Sequence, residues 1–239
     1  LGYNFTRQYP LGNLYYYKAG ETPDADGRRN IDISEIYLNL RFAPNESFYQ
    51  GKLYRDHFPN KYPVIQLNSA VGSDFMKSSY DYLRLQMNIS RRYYVSILGY
   101  TDVDLEAGKI FGRVSFPMLF IHAANQTYAY QRSSYNLMNF LEFISDKYVS
   151  LNIDHSFNGF ILNKIPLIKK LKFREIVTCK VIYGGIGRNN DPAYNDDLFR
   201  FPAGTDDTPL TFTLEKKPYV EAGVGLSNIL RTFRVDLIT

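Results

Sequence analysis

The chain has 239 residues and carries 28 Lys and Arg against 24 Asp and Glu, a net charge of +4. That charge is modest and spread along the chain rather than gathered in a basic stripe, so no nucleic-acid partner is expected. A single cysteine, Cys179, excludes an internal disulfide framework and any cysteine-based zinc site.

Aromatic usage is skewed, with 21 Tyr and 17 Phe but no Trp. Tyrosine is favoured in strands and at membrane interfaces, where its ring is apolar and its hydroxyl wet. The longest strictly apolar run, 116–121, is far short of the ~20 residues a helix needs to cross a bilayer. Leu1 does not open a signal peptide, since a charged start and an apolar core are missing. Both ends read as cut, so the expectation is one domain, 1–239, forming the C-terminal part of a longer protein.

Along the chain, a polar stretch at 19–30 reads as a long loop. Ile36, Leu38, Leu40 and Phe42 then alternate with Tyr37, Asn39 and Arg41. Ile65, Leu67, Ser69 and Val71 oppose Gln66, Asn68 and Ala70, and Leu83, Leu85, Met87 and Ile89 oppose Tyr82, Arg84, Gln86 and Asn88. Period-2 alternation over such lengths predicts strands with one greasy and one wet face. Asp102, Asp104 and Glu106 share one face of a further strand. Paired carboxylates can serve acid–base or glycosidic chemistry, and on a barrel they would line a hydrated lumen. Tyr135, Leu137, Asn139, Leu141 and Phe143 make a weaker strand pattern, and 136–144 also reads as a short helix.

The last third alternates most clearly. Val149, Leu151, Ile153, His155 and Phe157 oppose Ser150, Asn152, Asp154 and Ser156. His155 lies between Asp154 and Ser156, yet strand neighbours point to opposite faces and form no triad by themselves. The turn at 163–172 sets Lys164, Lys169, Lys170 and Lys172 beside Ile165, Leu167, Ile168 and Leu171, with one helical turn expected within 165–171. At a membrane surface the aliphatics would dip into the interface while the lysines reach headgroup phosphates; a solvated turn is the plainer alternative. Val177, Cys179, Val181 and Tyr183 oppose Thr178, Lys180 and Ile182. The loop 184–217 opens on Gly184, Gly185 and Gly187, which lack the Lys-Ser/Thr and following helix of a phosphate loop. Its Asn189, Asn190, Asp191, Asn195, Asp196 and Asp197 lack EF-hand spacing. Val220, Ala222, Val224 and Leu226 close the series against Tyr219, Glu221, Gly223 and Gly225. Short connections at 145–147 and 228–231 alternate with the long ones, as in outer-membrane barrels.

Several segments resemble a known family: 157–175 with its lysine-rich turn, 106–112, 136–139 with 142–146, and 219–226 followed by 233–237. They are similar to the C-terminal barrel of Bacteroidota outer-membrane proteins of unknown function that carry an N-terminal carboxypeptidase-regulatory-like domain. The stretch 223–237 is more faintly similar to the closing strands of the BamA/surface-antigen superfamily, although no Arg-Gly-Phe/Tyr loop motif occurs in the chain. That resemblance implies a barrel of about 16 strands that inserts or translocates outer-membrane proteins. The expected fold is therefore all-β, an antiparallel transmembrane β-barrel, of which this chain supplies roughly ten to twelve strands. The expected role is assembly or transport at the bacterial outer membrane, with no cofactor and no enzymatic chemistry. Outer-membrane lipid is the expected partner, with other outer-membrane or periplasmic proteins beside it. A barrel-embedded lipid hydrolase predicts a Ser-His-carboxylate cluster instead, and a soluble β-sandwich binding module predicts that the apolar faces pack against each other.

Overall fold

The computed structural model describes residues 1–11, 14–21, 29–58, 60–127, 129, 131–204, 208–214 and 217–239. Parts of the two long polar stretches, 22–28, 205–207 and 215–216, lie outside the described residues. In chain order the strands are β1 (Gly2–Gln8), β2 (Ile31–Phe42), β3 (Phe48–Gln50), β4 (Arg55–His57), β5 (Val64–Gly72), β6 (Tyr82–Tyr94) and β7 (Tyr100–Gly112). They continue as β8 (Phe120–Ile121), β9 (Phe143–Ser145), β10 (Lys147–Ser156), β11 (Arg174–Gly185), β12 (Phe212–Thr213), β13 (Tyr219–Ile229) and β14 (Phe233–Ile238). A single helical turn, α1 (Pro166–Lys169), falls where the lysine-rich segment predicts one.

The chain is all-β. Nine strands form one large antiparallel sheet in the order β1-β2-β5-β6-β7-β10-β11-β13-β14, so each long strand pairs with its neighbours along the chain. The sequence expectation of roughly ten to twelve barrel strands compares with nine in this sheet and fourteen in all among the described residues. The remaining short strands form a three-stranded sheet, β12-β9-β8, and a hairpin, β3-β4. No helix of the described residues is long and apolar enough to cross a membrane.

Register turns the alternation of single strands into continuous rows. Phe42, Ile65, Ile89, Leu105, Leu151, Val181 and Val220 are successive cross-strand partners from β2 to β13. The neighbouring row runs through Leu40, Leu67, Met87, Ala107, Val149 and Tyr183. These rows are open to the surroundings: Leu40 is 52% exposed, Val149 50% and Val220 52%. The row between them on the other face is Arg41, Gln66, Asn88, Glu106 and Ser150. Apolar faces packed against each other, as a sandwich requires, are not what the sheet presents. Its burial is reversed, with aliphatics outward and charges inward; Glu221 is 2% exposed and Lys180 3%.

The connections separate by end. Loops 9–30, 73–81, 113–146 and 186–218 leave one end of the sheet, and 43–63, 95–99, 157–173 and 230–232 leave the other. Two expectations are corrected here. The segment 145–147 is no hairpin turn: it lies at the loop-rich end, where β9 runs almost directly into β10. The segment 135–143 is neither a full strand nor a helix, since only Phe143–Ser145 is extended and Leu141 takes φ +62. Its apolar residues are spent differently: Tyr135 and Met138 pack with Tyr148, Ile182 and Leu214 over the inward face. A larger apolar cluster at the loop-rich end joins Ile31, Tyr82 and Ile110 of the strands to Val114, Phe116 and Met118. The wet face is thus largely covered by the chain's own loops rather than left as an open lumen.

The tight connection 95–99 depends on Gly99, whose φ is +92 and whose added Cβ would overlap the Ser156 carbonyl oxygen. Left-handed backbone at a non-glycine residue costs about 1–3 kcal/mol before any clash. Gly99→Ala is expected to lower unfolding free energy by at least about 2 kcal/mol, whereas Gly185→Ala, with open space around it, stays near neutral. Equal denaturant midpoints for the two variants would contradict this account of the turn.

Candidate functional site

The inward face converges on the segment 113–146, which leaves β7 at the loop-rich end, folds back across the polar side of the sheet and rejoins it at β10. Four strands hold it. From β6, the Arg84 guanidinium donates to the Met118 carbonyl at 2.6 Å. On β7, Asp102 and Asp104 accept from Arg132 of the segment at 3.1 and 2.9 Å. Arg92 of β6 completes this group with a two-pronged contact to Asp102, both bonds 2.7 Å. Lys180 of β11 donates its ammonium to the carbonyls of Gln131, at 3.2 Å, and of Ser134. Glu221 of β13 accepts the backbone N–H groups of Asn136 and Leu137 at 2.9 and 2.7 Å, and the Tyr219 hydroxyl at 2.9 Å.

The energetics follow from burial. A buried carboxylate or ammonium is tolerated only when its oxygens or protons are satisfied, because desolvation costs several kcal/mol per ion. Glu221 meets this with three donors, and Lys180 with two carbonyls. Arg84, Asp102, Asp104, Lys180 and Glu221 therefore stabilise the segment, and the segment in turn makes their burial possible. Between them lies a cavity of about 490 Å³ bounded by Asp104, Glu106, His122, Arg132, Tyr148 and Asn152. Tyr148 donates to Glu106 and accepts from Gln86 at 2.9 Å, which orders its wall.

Asp102, Asp104 and Glu106 do share this face, and Arg132 draws the two aspartates together. His155 turns the other way and bonds Thr101 at 2.7 Å, apart from Asp154 and Ser156. A different histidine meets a serine: His122 Nε2 and Ser145 Oγ are 2.8 Å apart, both buried. Burial pushes the His122 imidazole down to about 4, so it is neutral at pH 7. Its ring lies edge-on to Tyr148, and among the described residues its side-chain hydrogen bond goes to Ser145 and to no carboxylate. The glycine cluster is occupied by the chain itself, since the Gly187 N–H donates to Asp146 at 2.8 Å. Asn190 does likewise, donating to Asp146 and accepting from the Val114 N–H. Among the described residues no group of three or more His, Cys, Asp or Glu is placed to hold a metal ion.

Lys164, Lys169, Lys170 and Lys172 are all exposed at the opposite end of the sheet from these long loops. Ile161, Ile165, Leu167 and Leu171 stand exposed among them, so the turn is amphiphilic in the fold as in the sequence. Lys164 lies 4.1 Å from the centre of the Phe160 ring.

Sequence reasoning missed Arg132, Lys180 and Glu221. One signal was present: a stretch from 113 to 146 with little alternation, too long for an ordinary connection, is usually functional. The partners themselves are separated by up to 85 residues, and no local pattern marks them.

Two outcomes are expected. Glu221→Ala leaves the Asn136 and Leu137 amides unpaired, each worth about 1–3 kcal/mol. Their hydrogen exchange should accelerate sharply, while amides in the centre of β6 and β7 stay protected. For His122, the folded-state value lies below the ordinary one of about 6.5, so its contribution is complete above that pH and lost as pH falls toward 4. Protection of the 113–146 amides should fall through that window, and His122→Gln should flatten the dependence.

No curated protein matches the chain. Residues 18–189, which span β2 to β11 and all of the inserted segment, match the C-terminal domain of a family of unknown function, DUF5686. The chain belongs to the DUF5686 family.

Proposed function

We propose that this chain is part of an integral outer-membrane β-barrel of about 16 strands in a Gram-negative bacterium, serving protein assembly or transport and not enzymatic chemistry. One observation carries the reading: the uninterrupted apolar row from Phe42 to Val220, half-buried to exposed along a sheet that buries Lys180 and Glu221 behind it. With strands about 4.8 Å apart and ~3.4 Å per residue, the two apolar rows through Met87 and Ile89 together cover on the order of 400 Å². Soluble monomers rarely expose more than a few hundred Å² of contiguous apolar surface. At a strand tilt near 45° the outward rows from Leu83 to Tyr93 span about 25 Å, with Lys109 and Lys147 toward one margin and Arg91 and His155 toward the other, against an outer-membrane belt of ~25 Å. Arg91 over Tyr93 and Lys109 over Phe111, at 4.5 and 4.4 Å, supply cationic and aromatic groups toward its two margins. The lysines of the 163–172 turn, with their exposed aliphatics, suit an interface on the side of the shorter connections.

Assembly or gated transport fits the inward face better than open diffusion, because the polar side is filled by the latched segment and its apolar clusters. The resemblance to Bacteroidota barrels with a carboxypeptidase-regulatory-like domain, and the fainter one to BamA, points the same way. Other outer-membrane or periplasmic proteins are then its partners, together with lipid.

The test contrasts faces in the full-length protein. Leu151→Arg, in the middle of the aliphatic row, should cost about 2–4 kcal/mol for folding into phosphocholine vesicles. Asn88→Arg, which faces Glu106, should cost clearly less. A protein that stays monomeric in water without detergent, with Leu151→Arg neutral, would overturn the reading. The His122–Ser145 pair favours a hydrolase as second reading. A fluorophosphonate serine probe should leave the protein unlabelled, and labelling lost in Ser145→Ala would establish the hydrolase instead.

A further inference from the structure

Where the outward aliphatic rows approach the loop-rich end, the next row becomes cationic. Lys109 of β7 and Lys147 of β10 are direct cross-strand partners, both exposed on the outward side. Like charges directly opposite each other are destabilising in a sheet. Among the described residues neither ammonium has a carboxylate partner; Lys109 reaches only the Phe111 ring. The start of loop 186–218 brings to the same groove Arg188, whose guanidinium lies 5.5 Å from the Tyr194 ring. Together these residues wall a groove of about 1120 Å³. Asp191 also lines it, leaving three cations against one carboxylate, and its floor descends through Leu85, Met87 and Val149.

The chemistry of the groove changes in one direction. Its upper part is cationic, and the rows beneath it, beginning with Met87 and Val149 and continuing to Ile89 and Leu151, are apolar, with Tyr183 and Phe42 as their aromatic members. Successive outward residues are about 7 Å apart along a strand. A ligand anchored at Lys109 and Lys147 would therefore lay one or more hydrocarbon chains straight down the belt. A phosphate placed between the two ammonium groups would replace their repulsion with two charge-assisted contacts, and Arg188 could take a further phosphate oxygen. An acidic protein segment would satisfy the cations but would leave the aliphatic floor without a counterpart.

We infer that this groove is a binding site for a phosphorylated glycolipid of the outer leaflet, its phosphate held by Lys109, Lys147 and Arg188 and its acyl chains lying on Leu85, Met87 and Val149. The inference rests on the membrane reading above, together with the rule that the long loops of such barrels lie on the outer side. It adds to that reading a specific lipid class and a place for it.

The experiment uses the full-length protein in an uncharged maltoside detergent. Binding of bisphosphorylated lipid A is measured by native mass spectrometry and titration, beside its phosphatase-treated form and inorganic pyrophosphate. Wild-type protein should bind lipid A at least about tenfold more tightly than the dephosphorylated form, and Lys109→Gln/Lys147→Gln should lose a similar factor. Heat-modifiable mobility of the double variant should be unchanged, which shows that the barrel is intact. Retained lipid A affinity in the intact variant, or equal binding of the dephosphorylated lipid, overturns the site and leaves the membrane reading standing. Full competition by pyrophosphate alone, with no contribution from acyl chains, also overturns it, as a simple anion site. Should the protein remain soluble without detergent, the membrane reading fails and the lipid site fails with it.

Discussion

Because the sheet from β2 through β13 is hydrogen-bonded without a shift in register, the parity of a residue decides which of two environments it meets. In the middle of the sheet every second residue joins an outward apolar row, and its neighbours face the polar side. A slip by one residue in any pair would carry Glu221 or Lys180 outward and Val220 or Val181 inward. The cost would be a charge stripped of its partners. Register is therefore guarded from the polar side as much as from the apolar one.

Once parity has placed the charges, they become the means of holding the inserted segment. Asp102, Lys180 and Glu221 stand on three different strands, and each engages the stretch from Gln131 to Leu137. Two of these contacts are to backbone carbonyls or N–H groups, so they fix the path of the segment largely independently of its side chains. The apolar side chains of that segment are then free to pack, as Tyr135 and Met138 do against Tyr148 and Ile182. The result is a sheet with two unlike surfaces, one bare and one filled by its own chain.

The sheet was largely legible in the sequence because its determinants are local. The alternation of Leu83, Leu85, Met87 and Ile89, or of Val220 to Leu226, needs only a window of eight residues. The helical turn at Pro166–Lys169 was legible for the same reason, through its proline and good helix formers. What lay in 113–146 was not. The run 116–121, apolar throughout, splits into a 3₁₀ turn and the two residues of β8. The weak alternation from Tyr135 to Phe143 reflects residues choosing partners on β10, β11 and β13, not a strand face. Arg132 looks like any loop arginine until Asp102 and Asp104 are brought beneath it. Tertiary contacts of this kind leave no period behind.

One consequence concerns the order in which the protein takes shape. β9, within the inserted segment, pairs in parallel with β12, which lies beyond β11 in the chain. Glu221, which caps the Asn136 and Leu137 amides, comes later still. Pairings between successive strands close short loops and form early, while contacts of such sequence separation are slow. The ladder from β6 to β11 can therefore zip before the segment that crosses it is secured. Docking of 113–146 can begin on Asp102, Asp104 and Lys180 but is completed only when β13 brings Glu221 to the Asn136 and Leu137 amides.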